Sequence, residues 1–239
     1  MKRTRTIRSL ICTVLLVLMA LSLTACGGSG GSYQSAVDTY AKYTYPTSKS
    51  VKLDDFIKDA LAGADGGAVA DIVKILQKSD DMKDMLESSE DSFKDEYKDL
   101  KDTYGKDFKV KIKIEDKEKI DEDDLEEIQD QLREAGESVL ESMEEAEDFD
   151  KDDWEDMADE SGLKVADCKS LYKSVKALGQ KLEKAKVTDG YEIEAVVEIK
   201  GKEDEDEFDV TLHVYKVNGK WVCLETLSGF GYAFSSLLY

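Results

Sequence analysis

The amino-acid sequence predicts an α+β domain in which helices pack on one face of an antiparallel sheet. Apolar residues recur at helical spacing before residue 105 and again over residues 121–184, whereas apolar and polar side chains alternate over residues 108–114 and 208–214 and, except at Val196, over residues 191–199. The predicted order is therefore N-terminal helices, one strand, further helices and a C-terminal meander of three strands. Such an order is typical of helices segregated to one side of an antiparallel sheet.

The N-terminal segment, residues 1–25, is predicted to be a signal peptide. A basic start precedes an apolar run from Leu10 to Leu23, which is shorter than the roughly 20 apolar residues of an ordinary spanning helix. The run ends in Leu23-Thr24-Ala25-Cys26. Residues 26–32 follow as a tether whose Gly/Ser composition is typical of a linker.

This N-terminal stretch resembles a bacterial lipoprotein signal peptide, because the basic start, apolar core, small residues before a cysteine and linker occur in that order. The resemblance implies cleavage before Cys26, a diacylglycerol thioether on Cys26 and a palmitate-type anchor on the extracytoplasmic side of the cell membrane. Each acyl CH₂ group buried in lipid favours anchoring by about 0.8 kcal/mol. Two other interpretations stay open: an ordinary secretory signal with a chance cysteine, and a cytosolic chain with an apolar helix.

The folded part is predicted to be one domain, residues 33–239, that begins with helices. The first spans residues 33–45 and ends before Pro46, and the second starts near Leu53. Gly63 to Gly67 lacks the Lys-Ser/Thr of a phosphate loop and is interpreted as a turn between helices. A long helix then runs to Gly105, where glycine favours a helix end.

The middle of the chain combines a strand with an acidic region. Residues 108–114 predict a half-buried strand with a lysine face, which also discourages pairing at a sheet edge. A helix then opens at Asp121, and an acid-rich stretch follows from Glu144 to Glu160. We interpret residues 121–163 as an acidic helical insert in the domain. A further helix is predicted from about Lys164 to Lys184.

The C-terminal third predicts a three-stranded meander. Tyr191 to Ile199 and Phe208 to Val214 alternate, and Trp221 to Leu227 returns after Asn218-Gly219, the residue pair preferred in a type I′ hairpin because both positions take positive φ. With this hairpin, residues 107–227 resemble uncharacterised lipoproteins of Gram-positive bacteria that carry an NTF2-like or cystatin-like domain. The resemblance implies an architecture and a cellular location but no particular activity or ligand, since such folds host enzymes, binding modules and scaffolds.

The charge balance restricts the partners. The 239 residues carry 54 acidic and 33 basic side chains, a net charge of −21, and loss of the four bases in residues 1–25 makes it −25. Such a charge repels nucleic acid and anionic lipid. We therefore expect no nucleic-acid partner, contact with the membrane only through the lipid on Cys26, and any protein partner to present a basic surface.

The candidates for site chemistry are few. His213 is the only histidine, so a histidine-based metal cage is excluded, and without a nucleophile motif a surface position is favoured over a general base. Residues 148–159 approximate a calcium loop, but Asp153 stands where glycine is needed, so a solvated acidic segment is favoured. Arg133, the one arginine after the signal, is interpreted as a surface partner of Asp130 and Glu137. No metal or cofactor is predicted.

Two cysteines remain in the mature chain besides Cys26. Cys168 lies in the apolar stripe of the helix before the meander, and the hairpin register places Cys223 opposite Val214 on the core side. Two alternatives stay open: a disulfide, which would stabilise by about 4 kcal/mol in the chain-entropy model, and two separate buried thiols.

These observations favour a lipid-anchored extracytoplasmic protein that is a non-enzymatic binding or scaffold module. The alternative is a cell-envelope enzyme with a carboxylate-lined pocket between helices and sheet, but carboxylate pairs are too common here to identify a catalytic dyad. A solute-binding lipoprotein is disfavoured because the sequence shows no βαβ repeat.

Overall fold

A computed structural model describes residues 32–52, 55, 56, 59 and 66–224. Within these residues six α-helices accompany one four-stranded antiparallel sheet, so the α+β prediction is confirmed. The elements are α1 (Tyr33–Thr44), α2 (Gly66–Leu76), α3 (Asp80–Tyr104), β1 (Lys109–Lys119), α4 (Glu122–Glu144), a 3-10 turn (Glu145–Asp148), α5 (Lys151–Ser161), α6 (Val165–Glu183), β2 (Val187–Lys200), β3 (Glu205–Val217) and β4 (Lys220–Cys223).

The strands lie side by side in the order of the sequence, β1-β2-β3-β4. The β3–β4 hairpin turns at Asn218 and Gly219, which adopt φ values of 50° and 82°, as the type I′ prediction requires. Cys223 pairs with Val214, the predicted register. Between Ile114 and Asp116 the β1–β2 register shifts, and this irregularity changes which β1 side chains face which side of the sheet.

One side of the sheet, which we call the covered face, belongs to a core shared with the helices. Its apolar side chains come from alternate positions of every strand, as the period of two predicts. They include Ile112, Ile114, Ile193, Ala195, Leu212, Val214, Trp221 and Cys223. At the far end of the sheet, Tyr104 and Phe108 form a smaller cluster with Val197 and Ile199.

The helical layer depends on a close contact between α4 and α6. A Cβ atom built on Gly136 of α4 would lie 2.3 Å from the backbone nitrogen of Glu183 and 2.8 Å from the carbonyl oxygen of Gly179. Glycine at position 136 therefore allows the two backbones to approach each other. Leu132 and Met143 of α4 and Trp154 of α5 are buried, so the acid-rich region 121–163 contributes part of the core while its acids stay outside.

Some expected boundaries differ from the structure. Gly66 and Gly67 belong to the first turn of α2, so the interpretation of the whole Gly63–Gly67 stretch as a turn was wrong at its C-terminal end. The signal peptide, Cys26 and most of the helix expected from Leu53 lie outside the described residues, as does the last strand beyond Leu224. None of the described helices is long and apolar enough to cross a membrane.

Candidate functional site

The described chain begins at one end of the sheet, held by aromatic rings. The ring of Tyr33 lies 5.3 Å from that of Tyr191 and 6.2 Å from that of Trp221, and the last two rings stack at 5.4 Å. Lys117 places its Nζ 4.5 Å from the rings of both Tyr33 and Tyr191. The register shift in β1 brings Lys117 opposite Ile193, on the covered face. This cluster fixes where a chain coming from Cys26 enters the fold.

An open groove of about 610 Å³ runs along the exposed side of α4. We call it the acidic groove, and it is lined by Asp123, Glu126, Glu127, Asp130, Gln131 and Glu134. Their spacing of three and four residues, which the sequence analysis overlooked, places them on one side of the helix. The groove differs from the pocket that the enzyme alternative expects, because a single helix lines it and it does not lie between helices and sheet.

Arg133 of α4 forms the surface ion pairs with Asp130 and Glu137 that the sequence predicted. Its Nη1 lies 3.0 Å from Asp130, and its Nε lies 3.8 Å from Glu137. All three side chains are close to half exposed, so these are ordinary surface pairs, in agreement with the sequence interpretation. Arg133 thus offsets one carboxylate of the acidic groove and leaves the groove strongly negative.

The other side of the sheet carries the buried residues Gly190, Tyr215 and Val222 near the β3–β4 turn and charged side chains along the rest, which we call the open face. It comprises Lys109, Lys111 and Lys113 of β1, Glu192, Glu194, Val196, Glu198 and Lys200 of β2, and Glu205, Glu207, Asp209, Thr211 and His213 of β3. The lysines of β1 and the acids of β3 are exposed. The lysine face predicted for the first strand is therefore confirmed.

Glu198 is a buried acid on this open face, and sequence analysis did not single it out. Its carboxylate forms an ion pair with the ammonium group of Lys113. The Nζ of Lys200 lies 3.8 Å from the Oε2 of Glu198. The hydrogen bond from Lys113 and the charges of Lys113, Lys200 and Lys111 hold the pKa of Glu198 below its ordinary value, against the opposing effect of burial. The sequence signal that could have identified Glu198 was its position in β2, the strand that pairs with the charged strands β1 and β3 on either side.

His213 lies on the open face, opposite in direction to Leu212 and Val214, as predicted. Its Nε2 is 3.1 Å from Glu192, and both side chains are partly exposed. This places the histidine at the surface of the sheet, beside a cross-strand carboxylate.

The calcium-loop frame of residues 148–159 is mostly helical in the structure. Asp150 caps α5 by accepting hydrogen bonds from the backbone nitrogens of Asp152 and Asp153, and the Asp153 side chain accepts in return from the backbone of Asp150. In a helix that starts at Lys151, successive acidic side chains point to different sides, whereas in a calcium loop they all point toward the bound ion. Among the described residues no group of three or more acids, histidines or cysteines could hold a metal ion.

Cys168 and Cys223 are both fully buried, so the prediction that both belong to the core is confirmed. The structure holds them as two separate thiols, the second of the two alternatives. Burial raises the pKa of the Cys168 thiol, whose Sγ lies 3.7 Å from the hydroxyl of Ser161. A disulfide in the oxidised protein stays a prediction.

The chain was compared with known proteins at three levels. No protein-family model, no curated protein and no solved structure matches it. The resemblance to NTF2-like or cystatin-like lipoproteins therefore stays a prediction.

Proposed function

We propose that this protein is a lipid-anchored extracytoplasmic protein that acts as a non-enzymatic binding or scaffold module. In this proposal the lipid on Cys26 holds the domain at the cell membrane, and the acidic groove of α4 receives a partner with a basic surface.

The groove is the observation that carries the binding part of the proposal. Five of its six lining side chains are carboxylates, and a positive partner would meet them on a single, open side of one helix. Such a field favours rapid association with a basic surface and discriminates against acidic ones. The lipobox Leu23-Thr24-Ala25-Cys26 supports the anchoring part.

Metabolic labelling tests the anchor. Cells expressing the wild-type chain and the Cys26→Ser variant are supplied with a labelled fatty acid, and we expect label on the wild-type protein only. The variant should leave the membrane fraction or accumulate as its precursor. Equal label on both chains would contradict the anchor.

Crosslinked capture tests the groove. The variant Glu126→Gln, Glu127→Gln, Glu134→Gln removes three groove charges, and Asp95→Asn, Asp99→Asn, Asp102→Asn removes three exposed charges of α3 as a matched control. We expect basic proteins captured by the wild type to be retained by the control and lost by the groove variant. Their capture should also weaken from low to physiological salt, since exposed charges are screened beyond about 8 Å. Equal capture by all three chains, or capture that salt does not change, would count against the groove.

A further inference from the structure

The covered face is shielded unevenly at its far end. On β2, Val197 is 0% exposed, whereas Phe208, its partner on β3, is 38% exposed. Along β3 the side chains of this face lose burial in order. Val214 and Leu212 are buried, Val210 is half-buried and Phe208 is exposed. The shielding of the covered face therefore ends at the outer edge of β3, along the first half of that strand.

In the part of the chain that the structure describes, the outer edge of β3 is paired only near its C-terminal end. The strand on this edge is β4, and its pairs with β3 stop at Val214. One further backbone bond continues the register, since the nitrogen of Leu224 donates to the carbonyl oxygen of His213 at 3.0 Å. Backbone groups alternate in direction along a strand, so those of Thr211 and Asp209 point outward as that of His213 does. Such an edge is a template for another strand.

We propose that residues 225–229 of this chain extend β4 along the outer edge of β3 and cover Phe208. The segment follows Leu224 directly, outside the described residues, so it reaches this edge without closing a loop. It ends two residues beyond Leu227, the end of the last strand that the sequence predicts. This pairing is independent of the proposed anchor and of a basic partner.

The side chains of the segment suit the two sides of the edge. Continued from the last backbone bond of β4, the register places Leu227 opposite Val210. It also places Gly229 opposite Phe208, whose ring can then pack over the glycine, an arrangement that stabilises glycine at a sheet edge. Paired residues share a side of the sheet, so Leu227 shields half-buried Val210. The residues on either side of Leu227 are a threonine and a serine, and they take the side that carries charges.

A second copy of the chain fits this edge less well. Two antiparallel β3 edges would bring Glu205, Glu207 and Asp209 of both copies onto one side, where like charges oppose pairing. The chain's own continuation has no charged residue after Glu225, in a sequence that is 36% charged. Glu225 itself lies opposite Leu212 in this register, and from an edge strand its carboxylate can extend into water.

Hydrogen exchange at single residues, measured by NMR, tests whether this edge is paired. The mature chain, with Cys26→Ser to keep it free of lipid, is compared with the same chain ending at Leu224. The amides of Thr211 and Asp209 point to the outer edge and report on the pairing. The amide of Val210 points to β2 and serves as the internal control.

We expect the amides of Thr211 and Asp209 to exchange at least ten-fold more slowly in the full mature chain than in the shortened one. The amide of Val210 should be protected in both. Fast exchange of the two outer amides in the full mature chain would overturn the proposal. Protection that increases with protein concentration would also overturn it, because it would place a second copy on the edge.

A disulfide tests the register and decides the question if the shortened chain does not fold. Val210→Cys with Leu227→Cys joins a pair without mutual backbone bonds, whose Cα atoms are expected about 4.5 Å apart, within the range that a disulfide bridges. Val210→Cys with Thr226→Cys is the control, because Thr226 points to the other side of the sheet. Cys168 and Cys223 stay unchanged, since both are buried.

Under mild oxidation we expect a bond within one molecule, identified by peptide mass mapping, in the first variant only. Absence of that bond, equal bond formation in the control, or bonds between molecules would overturn the proposal.

Discussion

The two faces of the sheet are built from neighbouring residues of the same strands, yet different forces act on them. On β3, Leu212 is 1% exposed among the side chains of the core, whereas Thr211 next to it is exposed among charges. The covered face gains free energy from removing apolar surface from water, and dense packing makes it sensitive to any change of volume. The open face is held by ion pairs in water, which contribute little each. The difference teaches that burial stabilises the covered face, whereas the charged part of the other side can change with little effect on stability.

The largest expected effect compares the two neighbours directly. Leu212→Ala removes a fully buried side chain and leaves a cavity, so we expect a loss of about 3 kcal/mol in the free energy of unfolding. Thr211→Ala should change it by less than about 0.5 kcal/mol. Urea unfolding of both variants measures the contrast. Similar losses for the two variants would show that the open face also contributes to the core.

A smaller effect tests the helical layer that covers the sheet. Gly136→Ala would place a Cβ within 3 Å of the backbone of α6, so we expect α4 and α6 to move apart at a cost of about 2 kcal/mol. Ser138→Ala, on the exposed side of the same helix, is the matched control and should leave the stability almost unchanged. Thermal unfolding compares the two variants. A stable Gly136→Ala variant would mean that the contact between these helices is looser than the structure has it.

The smallest effect concerns the one buried acid of the open face. The hydrogen bond from Lys113 lowers the pKa of Glu198 from its ordinary value of 4.5. A lowered pKa means that the carboxylate stabilises the fold above pH 4.5, and that this contribution is lost as the pH falls through the lowered pKa. We therefore expect the stability difference between the wild type and Glu198→Gln to shrink below pH 4.5.

Urea unfolding between pH 6 and pH 3 measures that difference. Lys113→Gln is the control, because it keeps the carboxylate but removes its main hydrogen-bond donor, and it should reduce the pH dependence attributed to Glu198. A difference that stays constant over this range would contradict the lowered pKa of Glu198.

Local sequence by itself determined much of the secondary structure. The period of two in β1, β2 and β3 predicted the strands and their core side, because successive side chains of a strand point to opposite faces. Asn218-Gly219 predicted the hairpin and with it the pairing of Cys223 with Val214. Gly105, with φ of 90°, ends α3 as expected. Each of these features depends on residues close together in the chain.

Only the tertiary structure decided which distant residues meet. The register shift at Ile114 moves Lys117 to the covered face, and strand pairing buries Glu198 among lysines of another strand. The calcium-like spacing from Asp148 became a helix cap because the backbone after Asp150 is helical. The rows of lysine and acid on the open face likewise exist only once β1 and β3 flank β2. Composition alone describes a uniformly acidic chain, because a net charge contains no information about which charges are neighbours in space.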